Sequence, residues 1–186
     1  MHQLRIIPAR LEDAPFVARC VCMALHHEAD SERLAHVAQV CRRHDVLYSY
    51  RHALVAWMGD EPVGLCLCYD GARYAEMRRI TFPLFSHEGD AMDLDNAQDE
   101  TQAGEYYLDS LAVVSQWRGR GIARQLIEAQ LQRARQMGFH RATLLVDPAN
   151  EGAQRLYASI GFRHHSDCYA FGQTYWKWEI SIGQTS

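Results

Sequence analysis

The stretch that decides the fold is Leu111-Ala-Val-Val-Ser-Gln116-Trp-Arg118-Gly119-Arg120-Gly121-Ile122-Ala123-Arg124. It begins as an apolar strand, turns through two glycines and three arginines, and enters a helix. Backbone N–H groups in the first turn of a helix have no intrahelical partner. The helix dipole adds partial positive charge at the same place. Together they form an anion site suited to phosphate. Gly119 and Gly121 let the backbone approach a diphosphate closely, and Arg118, Arg120 and Arg124 add cationic contacts. A Gly-rich turn with exposed arginines is the plainer reading of the same residues. Two phosphate motifs are excluded by spacing. No Gly-Lys-Ser/Thr is present, and Arg124 stands where a dinucleotide fingerprint needs its third glycine.

Outward from this turn, Glu105–Val114 reads as a strand rich in Tyr, Leu and Val. Gly119–Gly138 reads as a long amphipathic helix. Its apolar rows are Ile122, Leu126, Ala129 and Ile127, Leu131, Ala134, with Gly138 as its stop. Ala142–Val146 is the next strand. Asn150–Ile160 is the next helix, with Ala153, Leu156, Tyr157 and Ile160 facing inward. Phe162–His165 and Thr174–Ile182 are closing strands. Towards the N-terminus, Leu4–Ile7 is a short strand and Leu11–Ala24 a helix opened by acids and Pro15. A second helix opens at Ser31. Ala53–Met58 and Val63–Tyr69 form a hairpin across Gly59-Asp60-Glu61-Pro62, and Ala72–Phe85 has room for a short helix.

The chain has 186 residues, which suits one domain. A chain this long buries roughly 70% of the surface its unfolded form exposes, so neither disulfides nor a metal are needed for folding. With 48% hydrophobic and 23% charged residues it is globular rather than disordered. Its apolar runs are too short to span a bilayer or to serve as a signal peptide, and the expectation is a soluble, cytoplasmic protein. A net charge of −4 argues against nucleic-acid binding. No two of the six cysteines stand in Cys-x-x-Cys spacing, and they read as buried free thiols. His26-His27-Glu28 and His164-His165-x-Asp167 place neighbouring histidines on different faces, so no metal site is expected. Seven of the chain's 23 acids fall in Ser86–Glu105, which holds no Lys or Arg. That run reads either as a solvated loop or as an acidic lip attracting a cationic substrate.

The turn also resembles a known signature. Gln116-x-x-Gly119-x-Gly121 is similar to the pyrophosphate-binding motif of the GNAT superfamily of N-acetyltransferases. A second block, Asn150-Glu-Gly-Ala-Gln-Arg-Leu156-Tyr157-Ala-Ser-Ile-Gly161-Phe162, resembles that family's later helix with its leading Asn, its Leu-Tyr and its closing Gly-Phe. The opening Arg5-Ile-Ile-Pro-Ala-Arg-Leu-Glu-Asp-Ala resembles the family's first strand and helix entry. The resemblance implies an α+β fold: a mostly antiparallel sheet of six to seven strands with one splayed parallel pair, flanked by about four helices. It implies one N-acetyltransferase domain over residues 1–186, with 70–104 as a variable acidic insertion.

The resemblance also implies roles. The backbone of Leu111, Ala112 and Val113 would hold the pantetheine arm of acetyl-CoA, and one N–H there would polarise the thioester carbonyl. Gln116 and the run Arg118, Gly119, Arg120, Gly121, Ile122, Ala123 and Arg124 would cradle the pyrophosphate. Asn150 would touch the cofactor arm. Tyr157 would stand near the thioester sulfur and give its proton to the leaving thiolate. Outside the motif, Tyr157 would read as a core aromatic. The reaction would move the acetyl group of acetyl-CoA directly to a primary amine, either a small cationic amine or a protein or peptide amine. The other function on the same fold is a non-catalytic acyl-CoA sensor or interaction module.

A neutral attacking amine needs a proton acceptor. Strand alternation puts Glu105, Tyr107, Asp109 and Leu111 on one face. Asp109 is therefore the first candidate base and Glu105 the second, and a structural carboxylate is the alternative for each. Tyr48, Tyr50, Tyr69 and Tyr74 are unranked candidates for the acceptor pocket. The expected partners are acetyl-CoA and an amine acceptor, with no nucleic acid and no membrane. The apolar Tyr169–Trp178 segment would suit a homodimer contact.

Overall fold

Short apolar runs make Leu4–Pro8 (β1), Ala53–Met58 (β2) and Glu61–Asp70 (β3) an antiparallel meander, with Ile6 opposite Ala56 and Val55 opposite Leu65. These elements come from a computed structural model that describes residues 3–26, 30–85 and 98–183. The chain forms two units, Met1–Cys68 with Ser110–Gln130, and Tyr69–Asp109 with Leu131–Ser186.

In the first unit, Leu11–Asp13 is a 3-10 turn and the α-helix itself, α1, runs Ala14–Ala24. The later start follows from Asp13, whose carboxylate accepts the Arg10 N–H at 2.7 Å and fixes the turn before the helix. Helix α2 is Ser31–Cys41, capped by Asp30, which accepts the Arg33 N–H at 2.8 Å. Val17, Ala18, Val21, Val37, Val55 and Leu65 are core residues of this unit. The strand before the glycine turn, β4, runs Tyr106–Val113, and α4 runs Ile122–Gln136. Helix α4 starts three residues later than the periodicity predicts, because Gly119 and Gly121 have φ of +73° and +75°, outside the helical region. Leu126 and Ile127 are buried, and Gln130 donates to the carbonyls of His52 (3.2 Å) and Cys66 (2.7 Å).

In the second unit, α3 (Tyr74–Phe85) occupies part of the expected insertion. Then come β5 (Arg141–Val146), α5 (Glu151–Ile160), β6 (Arg163–Ala170) and β7 (Gln173–Ser181). β6 reaches five residues further than its hydrophobic pattern suggests. A register shift between His164 and Ser166 breaks the period-two alternation that would have marked it. β4 pairs parallel with β5, and the ladder covers Tyr106–Leu108 against Ala142–Leu144. β5 pairs antiparallel with β7, and β7 with β6. The strands follow the order β1-β2-β3-β4-β5-β7-β6 in one mixed sheet of seven, accompanied by five α-helices among the described residues. This is the α+β architecture expected.

Gly71 marks a close approach. A Cβ there would collide with the Gln102 carbonyl and the Thr101 hydroxyl, and the Gly71 N–H donates to the Glu105 carbonyl at 2.9 Å. All six cysteines are buried and free. Among the described residues, no helix is long and apolar enough to cross a membrane. Most of the acidic run, residues 86–97, lies outside the described residues.

Candidate active site

The glycine turn is braced by its neighbours. The Val114 N–H donates to the Val63 carbonyl at 2.9 Å, and Arg118 Nε donates to the Val113 carbonyl at 2.9 Å. Trp117 Nε1 and Gln116 Nε2 both donate to Glu61 Oε1, at 3.3 and 3.4 Å. The Arg120 guanidinium lies 4.8 Å from the centre of the Trp117 ring, a cation–π contact. Gln116, the leading residue of the signature, is thus tied to Glu61.

The space beside its glycines is open. A Cβ built on Gly119 or Gly121 would meet nothing within 4 Å. The Gln125 N–H donates to the Gly121 carbonyl at 3.2 Å, which places the turn directly at the start of α4. Arg124 forms an ion pair with Glu128 at 3.1 Å. Left-handed glycines, open space where side chains would be, and the start of a helix fit a diphosphate. Leu111 is half-buried, and Ala112 and Val113 are buried.

The second unit carries the other candidates. Asn150 caps α5: its Oδ1 accepts the Ala153 N–H at 3.0 Å, which leaves the amide NH2 as the end able to reach a ligand. Tyr157 packs edge-on to Phe162, with ring centres 5.9 Å apart. The sequence places Ala153, Leu156, Tyr157 and Ile160 inward, yet no residue of α5 is fully buried. Its apolar face is covered only in part.

Asp109 sits half-buried on β4 and accepts the Tyr69 hydroxyl at 2.5 Å. Beside it, Glu100 accepts Tyr74 at 2.6 Å on one oxygen and Tyr107 at 2.5 Å on the other. The three rings lie 5.7 to 6.5 Å apart, centre to centre. Burial, and then the neighbouring carboxylates, push all three phenols above their usual range, so they stay protonated donors. Glu100 is itself raised to about 7, by burial first and by the charge of Asp109 second.

Glu105 has a different environment. Its carboxylate is 3% exposed and accepts Lys177 at 2.8 Å, Thr101 at 2.9 Å and Thr143 at 3.2 Å, with Arg141 at 3.3 Å. Burial pushes its carboxyl up, but the hydrogen bonds and charge of Lys177, with help from Thr101, outweigh it and hold the group below its usual value.

The sequence offers Asp109 first and Glu105 second, and it misses Glu100. Glu100 is one acid among seven in a run without periodicity, and only its separation of nine residues from Asp109 hints at a shared site. Tyr69 and Tyr74 stand out in the sequence only as unranked aromatics. Lys177 gives no signal at all, because it lies 72 residues from Glu105.

The model of the family described as acetyltransferase (GNAT) matches residues 21–162. N-alpha-acetyltransferase MAK3 of Arabidopsis thaliana is 34% identical over 64 residues, covering 34% of this chain and 34% of that protein. N-acetyltransferase 8 of Rattus norvegicus is 39% identical over 75 residues, covering 40% and 33%. The matched part thus spans about a third of the length of these curated relatives. Among solved structures, the crystal structure of an acetyltransferase superposes with a TM-score of 0.77 at 26% identity, covering 96% of this chain and 100% of that one. An N-acetyltransferase from Staphylococcus aureus Mu50 gives 0.77 at 24% identity, covering 95% and 100%.

Proposed function

Since the chain belongs to the acetyltransferase (GNAT) family, we propose that it transfers the acetyl group of acetyl-CoA to a primary amine, in the cytoplasm. The observation that carries this reading is the braced turn of two left-handed glycines, with open space beside both, set at the start of α4. Acetyl-CoA supplies an acyl group already activated as a thioester. The N–H groups at the start of α4, with Arg118, Arg120 and Arg124, hold its diphosphate. The backbone of Leu111, Ala112 and Val113 orients its arm, and the amide NH2 of Asn150 adds a contact. A backbone N–H of that segment polarises the thioester carbonyl.

The acceptor reaches the site as an ammonium, because a free amine has a pKa near ~10.4. Asp109, on the same face of β4 as Leu111, takes its proton. The freed nitrogen lone pair forms the new C–N bond as the C–S bond breaks. Tyr157 gives its proton to the departing thiolate and is reprotonated by the water that takes the second proton of the attacking nitrogen, and Asp109 releases its proton to solvent. An ordinary phenol, at ~10, is a weaker acid than a thiol, at ~8.5, so the Tyr157 hydroxyl stabilises the thiolate partly as a hydrogen-bond donor. Glu105, paired with Lys177 and held below its usual range, is a poor proton acceptor and is assigned to structure.

A panel of polyamines, amino acids, aminoglycosides and Lys-bearing peptides, incubated with acetyl-CoA and read by mass spectrometry, tests the transfer. Acetylated product with one cationic class is expected. Acetyl-CoA binding without product across the panel would favour the sensor reading, and no binding at all would overturn both.

A further inference from the structure

Residues 98–101 are fastened one after another to different elements. Gln98 accepts the Tyr169 N–H from β6 at 3.0 Å, and Asp99 pairs with Arg78 of α3 at 3.1 Å. Glu100 takes Tyr74 of α3 and Tyr107 of β4, and Thr101 donates to Glu105 at 2.9 Å. The segment therefore works as a bracket, and the side chain it buries is a carboxylate that is 8% exposed as a residue. Burying a carboxylate costs several kcal/mol even after relaxation. Here it also faces a second carboxylate, Asp109, through a layer of three stacked or tilted tyrosines. Each phenol has one proton to donate: two go to Glu100 and one to Asp109.

We propose that Glu100 is a positioning residue for Asp109: it clamps Tyr74 and Tyr107, so that Tyr69 is held on the Asp109 carboxylate, and its own charge sets how readily Asp109 takes the acceptor's proton. This rests on the reading of Asp109 as the proton acceptor. The groups facing Glu100 are Tyr74 and Arg78 from α3, Tyr107 and Asp109 from β4, and Tyr69 at the end of β3. Cys168 on β6 has its thiol pushed up by burial and then by Glu100. Arg78 and the two hydroxyls favour the charged form of Glu100, while burial and Asp109 oppose it. Near neutral pH Glu100 gains a proton. Protonation of Glu100 also puts an O–H where a phenol now donates, so the clamp loosens on the acid side.

The test has two arms. The first needs no acceptor: side-chain carboxyl 13C NMR of the full-length protein across pH 4–9. A Glu resonance with a midpoint near 7 is expected, absent in Glu100→Gln. Asp109→Asn should lower that midpoint, since a like charge is removed. Tyr107→Phe should raise it by about one pH unit, since a hydrogen bond to the charged form is lost. The second arm is the pH profile of kcat/KM with an acceptor from the panel. The wild type should show an inflection near pH 7 on the acid side, and Glu100→Gln should lose it. Its kcat should fall by about 10- to 100-fold, with the KM for acetyl-CoA unchanged. A midpoint that does not move in Asp109→Asn overturns the coupling, whether or not an acceptor is known. A Glu100→Gln profile that superimposes on the wild type overturns the positioning role while leaving the transfer itself standing. Tyr107→Phe retains Glu100 and serves both arms if Glu100→Gln does not fold.

Discussion

Replacing Lys177 by Met separates a structural Glu105 from a catalytic one. Lys177 and Glu105 are 12% and 3% exposed at the side chain, and their 2.8 Å contact is among the most buried ion pairs in the described residues. Removing one partner of a buried pair leaves an uncompensated charge, at about 3–5 kcal/mol. Arg141, at 3.3 Å but 38% exposed, compensates in part, as do the hydroxyls of Thr101 and Thr143. The low end, about 3 kcal/mol, is therefore expected. For a chain of this size each kcal/mol moves Tm by roughly 2–4 °C, so Lys177→Met should melt about 6–12 °C lower at pH 7. The pH dependence has a definite sign. A carboxyl lowered by folding stabilises the protein above its unfolded value of 4.5 and loses that contribution as pH falls through the folded value. The gap between wild type and variant should thus be full at pH 7 and narrow below pH 4.5. Thermal melts by circular dichroism at pH 7, 5 and 4 measure it. Glu105→Gln, assayed well below its own melting point, should keep kcat within a few-fold. An unchanged Tm in Lys177→Met, together with a hundredfold loss of kcat in Glu105→Gln, would show that Glu105 is the proton acceptor and that its ion pair is incidental.

Other outcomes follow from the same geometry. Tyr157→Phe should lower kcat by about 10²-fold, the low end for a proton donor, with acetyl-CoA affinity by calorimetry unchanged; an unchanged rate removes Tyr157 from the chemistry. Gly121→Ala puts a Cβ at φ +75°, a strain of about 1–2 kcal/mol, and should weaken CoA binding at least fivefold; equal affinity would mean that the diphosphate is held elsewhere. Gly71→Ala drives a Cβ into the Gln102 carbonyl, so a loss of about 3 kcal/mol in urea unfolding is expected, and a neutral effect would mean that the 98–105 segment is loosely held. If the acidic run captures a cationic acceptor, its KM should rise between low and physiological salt, while the KM for acetyl-CoA changes less.

The local sequence determined the parts of this protein whose causes are local. Two glycines two apart before an amphipathic helix allow one turn geometry, and φ values of +73° and +75° are what those residues permit at least cost. The turn between Leu111 and Arg124 was legible for that reason, as were the cap at Asn150, four residues after β5 ends, and most strands, whose apolar runs are a local property. Where alternation broke, as at the His164–Ser166 shift in β6, the element's length was lost with it. The choice between Asp109 and Glu105 lay beyond the sequence. Both sit on or beside β4 at the same parity, and they differ only in what arrives from far along the chain. Lys177 comes to Glu105 from 72 residues away, and Tyr69 comes to Asp109 from 40. Glu100 shows the same limit more sharply. In sequence it is one member of a like-charged run, which ordinarily faces solvent. Tertiary structure buries it, because α3 and β4 supply two phenol donors at the place where the bracket delivers its carboxylate. Proton affinity depends on burial and on neighbouring charge, and both are properties of the packed chain rather than of any stretch of it.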